Sequence, residues 1–406
     1  MAVSTSDVAY LAKVLYPKGY KDKDLYRAKP LLNDMKKTTD FTSAEGKVIP
    51  IDVALASGVG GTMAGAVANS NAVQGSKYII PQVTIFGYIA MDGNAWRNGT
   101  RSKDDGAFLD YAKKQWDDGL ETFTQEQARM AYGRKTGARA QIHATTALGT
   151  STIPLAKPSD AIFFRKGMIL VASSTEGGAL AAGTPGYATI VGIDQDAGVI
   201  TVDGTVATQI TGITNAWFLY QQTLAANNGS GNGGWAGLGD YNPITPVASL
   251  YNVNQTLNPV QTAGVRTTST SNLETLFIRA FAKAKAQVGA EYKQGEIYLH
   301  PLQFAALVST KEGAKVIEDA KLFEMGITKM RLGQYTFVED PFCPRDYGHV
   351  VSKDSYEVST CGSQPEVGKV FDDPDTDTIK VKLVADGNNL PNRPNQYIRV
   401  ALPVAA

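Results

Sequence analysis

Cysteine and histidine are nearly absent from this chain, with two cysteines and three histidines in 406 residues. Cys343 and Cys361 form neither a CxxC pair nor a disulfide framework, so a reducing, intracellular origin is the default expectation. His143, His300 and His349 are scattered without HxxxH or HExxH spacing. That removes the common zinc patterns, and neither metal nor cofactor is expected. An excess of charge of one sign is also missing, because 39 basic residues balance 39 acidic ones. No long-range field therefore draws the whole chain to nucleic acid or to an anionic membrane. No segment approaches the roughly 18 apolar residues of a membrane span. The first twenty residues lack a basic region followed by an apolar run, and no fixed-period repeat is visible. A secretory signal, a membrane anchor and a solenoid are thus not expected, and the sequons at Asn98 and Asn228 carry no meaning in that setting.

The patterns of catalysis are missing as well. Cys343 can be paired on paper with His300 or His349 as nucleophile and base, but it sits between Phe342 and Pro344 in a turn. A buried, inert thiol is the better reading there. His300 precedes Pro301 at a strand end, a position that favours a structural hydrogen bond over ligation. There is no Walker loop and no GxSxG elbow. The glycine run from Gly229 to Gly234 has no strand before it and no helix after it, as a phosphate loop requires. Asp372, Asp373, Asp375 and Asp377 lack the glycine and terminal glutamate of a calcium loop. Basic pairs such as Lys36–Lys37 and Lys113–Lys114 support at most weak, salt-sensitive contact with phosphates. The chain reads as a non-enzyme.

What is present is a long helical pattern from Ser102 to Thr136. It holds no proline, and Phe108, Ala112, Trp116, Leu120, Phe123 and Ala131 recur on one face. Ser102 or Asp104 can cap it, and Arg134 and Lys135 suit its C-terminal end. At about 1.5 Å per residue it would reach on the order of 50 Å, which requires partners along its length.

Around it the chain divides into recognisable stretches. Residues 1–42 read as an arm whose Tyr10, Leu11 and Val14 are too spread to form a core and so are expected to dock on another surface. Residues 43–94 contain a long hairpin. Its outgoing strand carries Val48 and Ile51, and its return strand, read from Lys77 to Asp92, carries Tyr78 and Ile80. The tip between them, with Gly60, Gly61 and Met63, has nothing large to bury, although glycine is plentiful in the chain as a whole (40 residues). Prolines at Pro50 and Pro81 confine these strands to edges or bulges. Residues 95–138 hold the long helix. Residues 139–222 are β-rich, include a hairpin around Asp194–Gly198, and suggest a self-contained barrel or sandwich. Residues 223–350 alternate helix and strand, with Leu273, Leu276, Phe277, Ala280, Phe281 and Ala284 on one helical face. Residues 351–406 end in two strands expected to return beside the long helix.

This order of parts resembles the major capsid proteins of tailed bacteriophages, with the Hong Kong 97-type fold. The most telling local match is GEIYLHPLQFAAL followed by GQYTFVEDPFCPRDYGHVVSKDSYEV. The resemblance implies an α+β fold built from an N-terminal arm, an E-loop, a P-domain with a spine helix and an A-domain. An all-β domain would be inserted at residues 139–222. It further implies self-assembly into hexamers and pentamers of an icosahedral shell enclosing double-stranded DNA, in a virion assembled in bacterial cytoplasm. A separate scaffolding protein and a portal would be partners, a decoration protein is a further candidate, and no membrane is involved. The residues expected to meet neighbouring subunits are Tyr10, Leu11, Val14, Val48, Ile51, Gly60, Gly61, Met63, Tyr78, Ile80 and Trp116. Some relatives join an E-loop lysine to a P-domain asparagine. Lys47 and Lys77 lie near the hairpin base here, away from the tip, so non-covalent fastening is expected. An encapsulin-like compartment shell and a β-rich hydrolase or binding protein are the alternatives.

Overall fold

The computed structural model describes residues 29–402 apart from 42–45, 55–56, 73, 93–104, 182–185, 223–232, 268–272, 290–291, 294, 311–328, 333–334, 363–364 and 374–377. The arm residues Tyr10, Leu11 and Val14 and the capping candidates Ser102 and Asp104 lie outside the described residues, as do Asp375, Asp377 and most of the Gly229–Gly234 run. The chain forms two compact units, each α+β. The first comprises residues 1–128, 251–253 and 353–393, and the second the remainder.

The first unit is built on the strand Thr378–Pro391. Along residues 378–387 it pairs antiparallel with Val83–Asp92. Glu366–Asp373 and Tyr356–Thr360 pair antiparallel with its other stretches, and Lys36–Thr38 adds a parallel strand at the edge. Its residues alternate as a half-buried strand must, with Ile379, Val381, Leu383 and Ala385 buried. The long helix, Asp105–Tyr132, packs on that buried face around Gly119 and Phe123, and its final turn belongs to the second unit. Its 28 residues make it about 42 Å long. Leu120, Phe123 and Ala131 from the expected face are buried; the side chains of Phe108, Ala112 and Trp116 lie outside the described residues. Two glycines set how closely helix and sheet approach. A Cβ on Gly119 would lie 2.5 Å from Ile89 Cδ1, and one on Gly87 would lie 2.8 Å from Phe123 Cδ2. Glycine in a helix interior costs about 1 kcal/mol relative to alanine. Here the freed volume is filled by Ile89, whose burial is worth roughly 1.5–3 kcal/mol.

The hairpin pairs Lys47–Ala54 with Gln74–Ile80. The return strand does not run through to Asp92 as expected. Pro81 has no N–H to continue the ladder, and after Gln82 the chain leaves the hairpin to join the strand Thr378–Pro391. Asn388 Nδ2 donates to Pro81 O (2.9 Å) and pins that corner. The tip has local order of its own in a short helix, Met63–Ala68. Thr62 Oγ1 accepts from Gly65 N (3.1 Å), and a bridge joins Ser57 to Asn71. None of the helix residues is buried.

In the second unit, every strand of a six-stranded antiparallel sheet falls between Ala140 and Gln221. The order is 140–141, 218–221, 169–173, 188–194, 199–202 and 152–154. The sheet closes on itself. Ile142 bridges Leu155, His143 N donates to Pro154 O (2.9 Å) and Ala156 N donates to Gln141 O (2.8 Å). The result is a small barrel filled by Ile142, Ile153, Leu170, Ile190, Ile200 and Leu219. Closure removes both sheet edges, which explains how so short a stretch is satisfied without outside strands. The Lys157–Asp346 ion pair (2.5 Å) and the Phe163–Phe342 stack attach it to the turn at residues 340–347.

The rest of the second unit is a mixed sheet in the order 265–267, 398–401, 347–351, 296–299, 335–339 and 329–332. The helix Leu273–Val288 covers it with Leu276, Phe277, Ala280, Phe281 and Ala284, as its periodicity indicates. Phe281 stacks on Tyr335 at 4.4 Å, and Phe277 meets Phe337 edge-on at 5.4 Å. The last strand, Ile398–Ala401, lies in this sheet instead of beside the long helix. It pairs with Val265–Thr267 and Tyr347–Val351, where Ile398 and Val400 join an apolar layer that needs them.

A polypeptide of residues 139–222 expressed alone should give dispersed amide resonances and a single cooperative melting transition. A fragment with collapsed amide dispersion would show that the barrel depends on the chain around it.

Candidate assembly surfaces

The groups nominated for chemistry are turned to structural use. His300 ends the strand Glu296–Leu299, and its carbonyl accepts from Phe304 N (2.9 Å) at the start of the helix Pro301–Thr310. Burial, helped by Arg345, lowers its imidazole to about 4. Cys343 is buried, and its Sγ donates to the carbonyls of Tyr298 (3.4 Å) and Tyr347 (3.5 Å). Burial and the nearby Asp340 push the thiol well above its ordinary range, which disfavours the thiolate that a nucleophile needs. His349 is buried with no hydrogen-bond partner for Nδ1. Burial first and then Arg399, its cross-strand neighbour, hold it well below the usual histidine range. Tyr132, from the last turn of the long helix, donates to Asp340 Oδ2 (2.8 Å), and its ring lies 5.8 Å from that of His349. Arg399 donates to Asn242 O (2.9 Å) and stacks 3.8 Å from the Tyr347 ring. The cluster ties helix end, turn and sheet together. Among the described residues no group of three or more His, Cys, Asp or Glu side chains is placed to hold a metal. No helix there is long and apolar enough to cross a membrane.

Lys47 and the asparagine side chains near the hairpin base are also engaged. Lys47 Nζ sits 2.8 Å from Asp40 Oδ1 and 3.5 Å from the buried Glu357. Its hydrogen bond to Asp40 holds that carboxyl well below the usual carboxylate range. Glu357 also accepts from Asn392 Nδ2 (2.7 Å) and from Thr38. Asn388 and Asn389 are buried, and Asn395 donates to Gln261 (3.2 Å). An ammonium held between carboxylates is the wrong form for amide attack, which needs a neutral amine. The cluster clamps the hairpin base to the strand Tyr356–Thr360. It went unread in the sequence because Lys47 and Glu357 are far apart in the chain and carry no local signal.

The residues expected at subunit contacts divide sharply. Val48 is exposed, as are Gly60, Gly61 and Met63 at the tip. Tyr78 and Ile80 are completely buried and Ile51 nearly so, which makes them interior residues of their own chain. The strand period explains the split. Val48 and Ile51 point to opposite faces, and Ile51 shares the covered face with Ile49, whose rung partner is Tyr78. The side chain of Trp116 lies outside the described residues. Sequence reasoning missed a second bare surface, the uncovered face of the first unit's sheet, where Phe86, Tyr88 and Phe371 stand out in solvent. The alternation in YIIPQVTIFGYIAMD carried that signal, since Phe86 and Tyr88 fall out of phase with Ile85 and Ile89.

No protein-family model matches the sequence, and no curated protein does. Solved structures do. The cyanophage A-1(L) capsid asymmetric unit matches with a TM-score of 0.52 at 11% identity, covering 92% of each chain. The capsid of a native GTA particle matches at 0.44 and 9% identity over 99% of each chain. The capsid of Myoviridae phage XM1 matches at 0.42 and 9% identity, covering 92% of this chain and 91% of its own.

His349 has a pH consequence. Its folded pKa lies well below 6.5. As pH falls past about 6.5 the unfolded chain takes up a proton that the folded chain refuses, and stability is lost at about 1.4 kcal/mol per pH unit. The stability margin of the wild type over His349→Gln should therefore shrink by that slope below pH 6.5 in denaturant titrations. A margin independent of pH would refute the assignment.

Proposed function

We propose that this chain, whose fold is that of a phage capsid subunit, is the major capsid protein of a tailed bacteriophage. The observation that carries the reading is the match to the cyanophage capsid subunit across 92% of both chains. In this reading the hairpin of residues 46–80 is the E-loop, the helix Asp105–Tyr132 the spine of the P-domain, and the mixed sheet with the helix Leu273–Val288 the A-domain. The barrel at residues 140–221 is an inserted domain. Copies assemble as hexamers and pentamers of an icosahedral shell around double-stranded DNA, within the virion. A separate scaffolding protein and a portal complete the assembly, with a decoration protein as a further candidate.

Two physical features support the reading. The hairpin tip exposes Val59 (88%), Met63 (81%) and Val67 (61%), apolar surface that a lone subunit has no reason to keep. The formal net charge of zero lets many copies pack side by side without accumulating repulsion. The shell is non-enzymatic and fastened without covalent bonds, a reading supported at Lys47, which is held in an ion-pair cluster, and at the nearby asparagine amides, which are committed to hydrogen bonds.

Purified protein should sediment as megadalton particles visible in negative stain, and a stable monomer would overturn the reading. Particles boiled in detergent should release one band near 43 kDa. A ladder of multimers that vanishes with Lys47→Ala or Lys77→Ala would instead reveal crosslinking. Shortening the tip by deleting residues 58–70 should leave the subunit's melting temperature within a few degrees of wild type, since no residue of the tip helix is buried, while shell closure is lost. Unfolding of the shortened chain would make the tip part of the subunit's own core.

A further inference from the structure

The short 3₁₀ helix Pro158–Phe163 is where the barrel meets the turn at residues 340–347. Side chains three apart eclipse in a 3₁₀ helix, so Asp160 and Phe163 stand in one row with Lys157, the residue at its N-terminal cap. Both ends of the row grip the turn. Lys157 Nζ lies 2.5 Å from Asp346 Oδ2, and Phe163 stacks on Phe342 with ring centroids 6.4 Å apart. Asp160 sits between them, half-buried, and among the described residues no hydrogen bond or ion pair reaches its carboxyl. The interface thus encloses two carboxyl groups beside one ammonium, and that ammonium is committed to Asp346. We propose that this row is a proton-operated clasp: with Asp160 protonated the barrel is locked to the turn, and ionisation of Asp160 opens the contact and frees the barrel to move on the rest of the second unit.

The charges around Asp160 leave a proton as its remedy. Its own helix supplies Lys157, and the turn supplies Asp346 and Tyr347, whose ring lies 5.8 Å from Lys157 Nζ. Arg399 stacks on that same ring and donates to Asn242 O (2.9 Å). Arg139 donates to Phe163 O (2.7 Å) and to Gln221 Oε1, so its guanidinium is engaged elsewhere. The strand Val199–Val202, which also packs against the helix, brings no charge. Burial raises the Asp160 carboxyl to about 7, against the pull of Lys157 and with the push of Asp346. Released to solvent, the same group titrates at ~3.9. Between those values the closed clasp holds a proton that the open one gives up. Closure therefore weakens as pH rises, by up to about tenfold per pH unit, and stays constant above about pH 7. Acid locks the clasp and neutral or alkaline pH loosens it. The contact lies within one chain, so it operates in the free subunit and does not depend on the shell reading.

The test is amide hydrogen–deuterium exchange of the full chain, corrected for the intrinsic pH dependence of exchange and read on peptides covering residues 157–164 and 340–347. Local opening governs exchange at such sites. Their protection should fall between pH 5 and 7, by up to about tenfold per unit, and then level off. Peptides from the strands Ala188–Asp194 and Val199–Val202, bonded within the barrel, should not follow. Asp160→Asn, uncharged at every pH, should hold the acid level of protection throughout. Asp346→Asn leaves Lys157 to Asp160 and should move the levelling-off to lower pH. Wild-type protection that is the same at pH 5 and pH 8 would overturn the clasp, as would an Asp160→Asn chain that keeps the wild-type dependence. Should that variant fail to fold, an unmoved levelling-off in Asp346→Asn refutes it equally.

Discussion

The antiparallel ladder between Val83–Asp92 and Thr378–Pro391 is the interaction on which the first unit depends. It joins segments almost three hundred residues apart over ten consecutive pairs. Closing so long a loop is entropically costly, though the cost grows only slowly with length. The ladder is offset by what it creates, a surface of Ile85, Ile89, Val381, Leu383 and Ala385 against which the long helix can pack. The helix approaches this pair of strands closely where Gly119 faces Ile89 and Gly87 faces Phe123. The hairpin hangs from the same ladder through the Pro81 corner and the Lys47–Glu357 cluster.

The second unit solves a different problem. Its barrel is closed on itself, and its mixed sheet is filled by aromatic and aliphatic residues from the helix Leu273–Val288. Between helix end, turn and sheet lies a buried polar cluster of Tyr132, Asp340, His349 and Arg399. Burial lowers Arg399 to about 10, which leaves it cationic at neutral pH. A buried cation beside a neutral histidine is tolerable because carbonyl and aromatic partners receive the guanidinium. Cys343, the residue that most invited a catalytic reading, is a filler within this cluster.

The apolar surface that remains is unevenly placed. Part of it lies at the hairpin tip and on one face of the first unit's sheet, and part lies in the second unit, where Leu257, Ile244 and Leu302 are exposed. Exposed apolar patches of this kind mark contact with other molecules. Apolar contacts of a few residues each are weak in isolation, since a standard interface buries about 800 Å² per partner. Weak contacts of this sort become decisive when a closed assembly repeats them.

Local patterns in the sequence were enough to determine the long helix, the β-rich character of residues 139–222 and the face of the helix Leu273–Val288. Each depends on periodicity or on motifs that span a few residues, and such signals survive in a single chain read alone. Tertiary structure decided the rest. It split the return strand at Pro81, sent Ile398–Ala401 to the second unit, closed the barrel through Ile142 and Leu155, and turned Tyr78 and Ile80 inward. It also brought Lys47, Glu357 and Asn392 into one cluster. Those outcomes rest on pairings between residues far apart in the chain. Strand period states which residues share a face, but only the assembled sheet determines which face is covered.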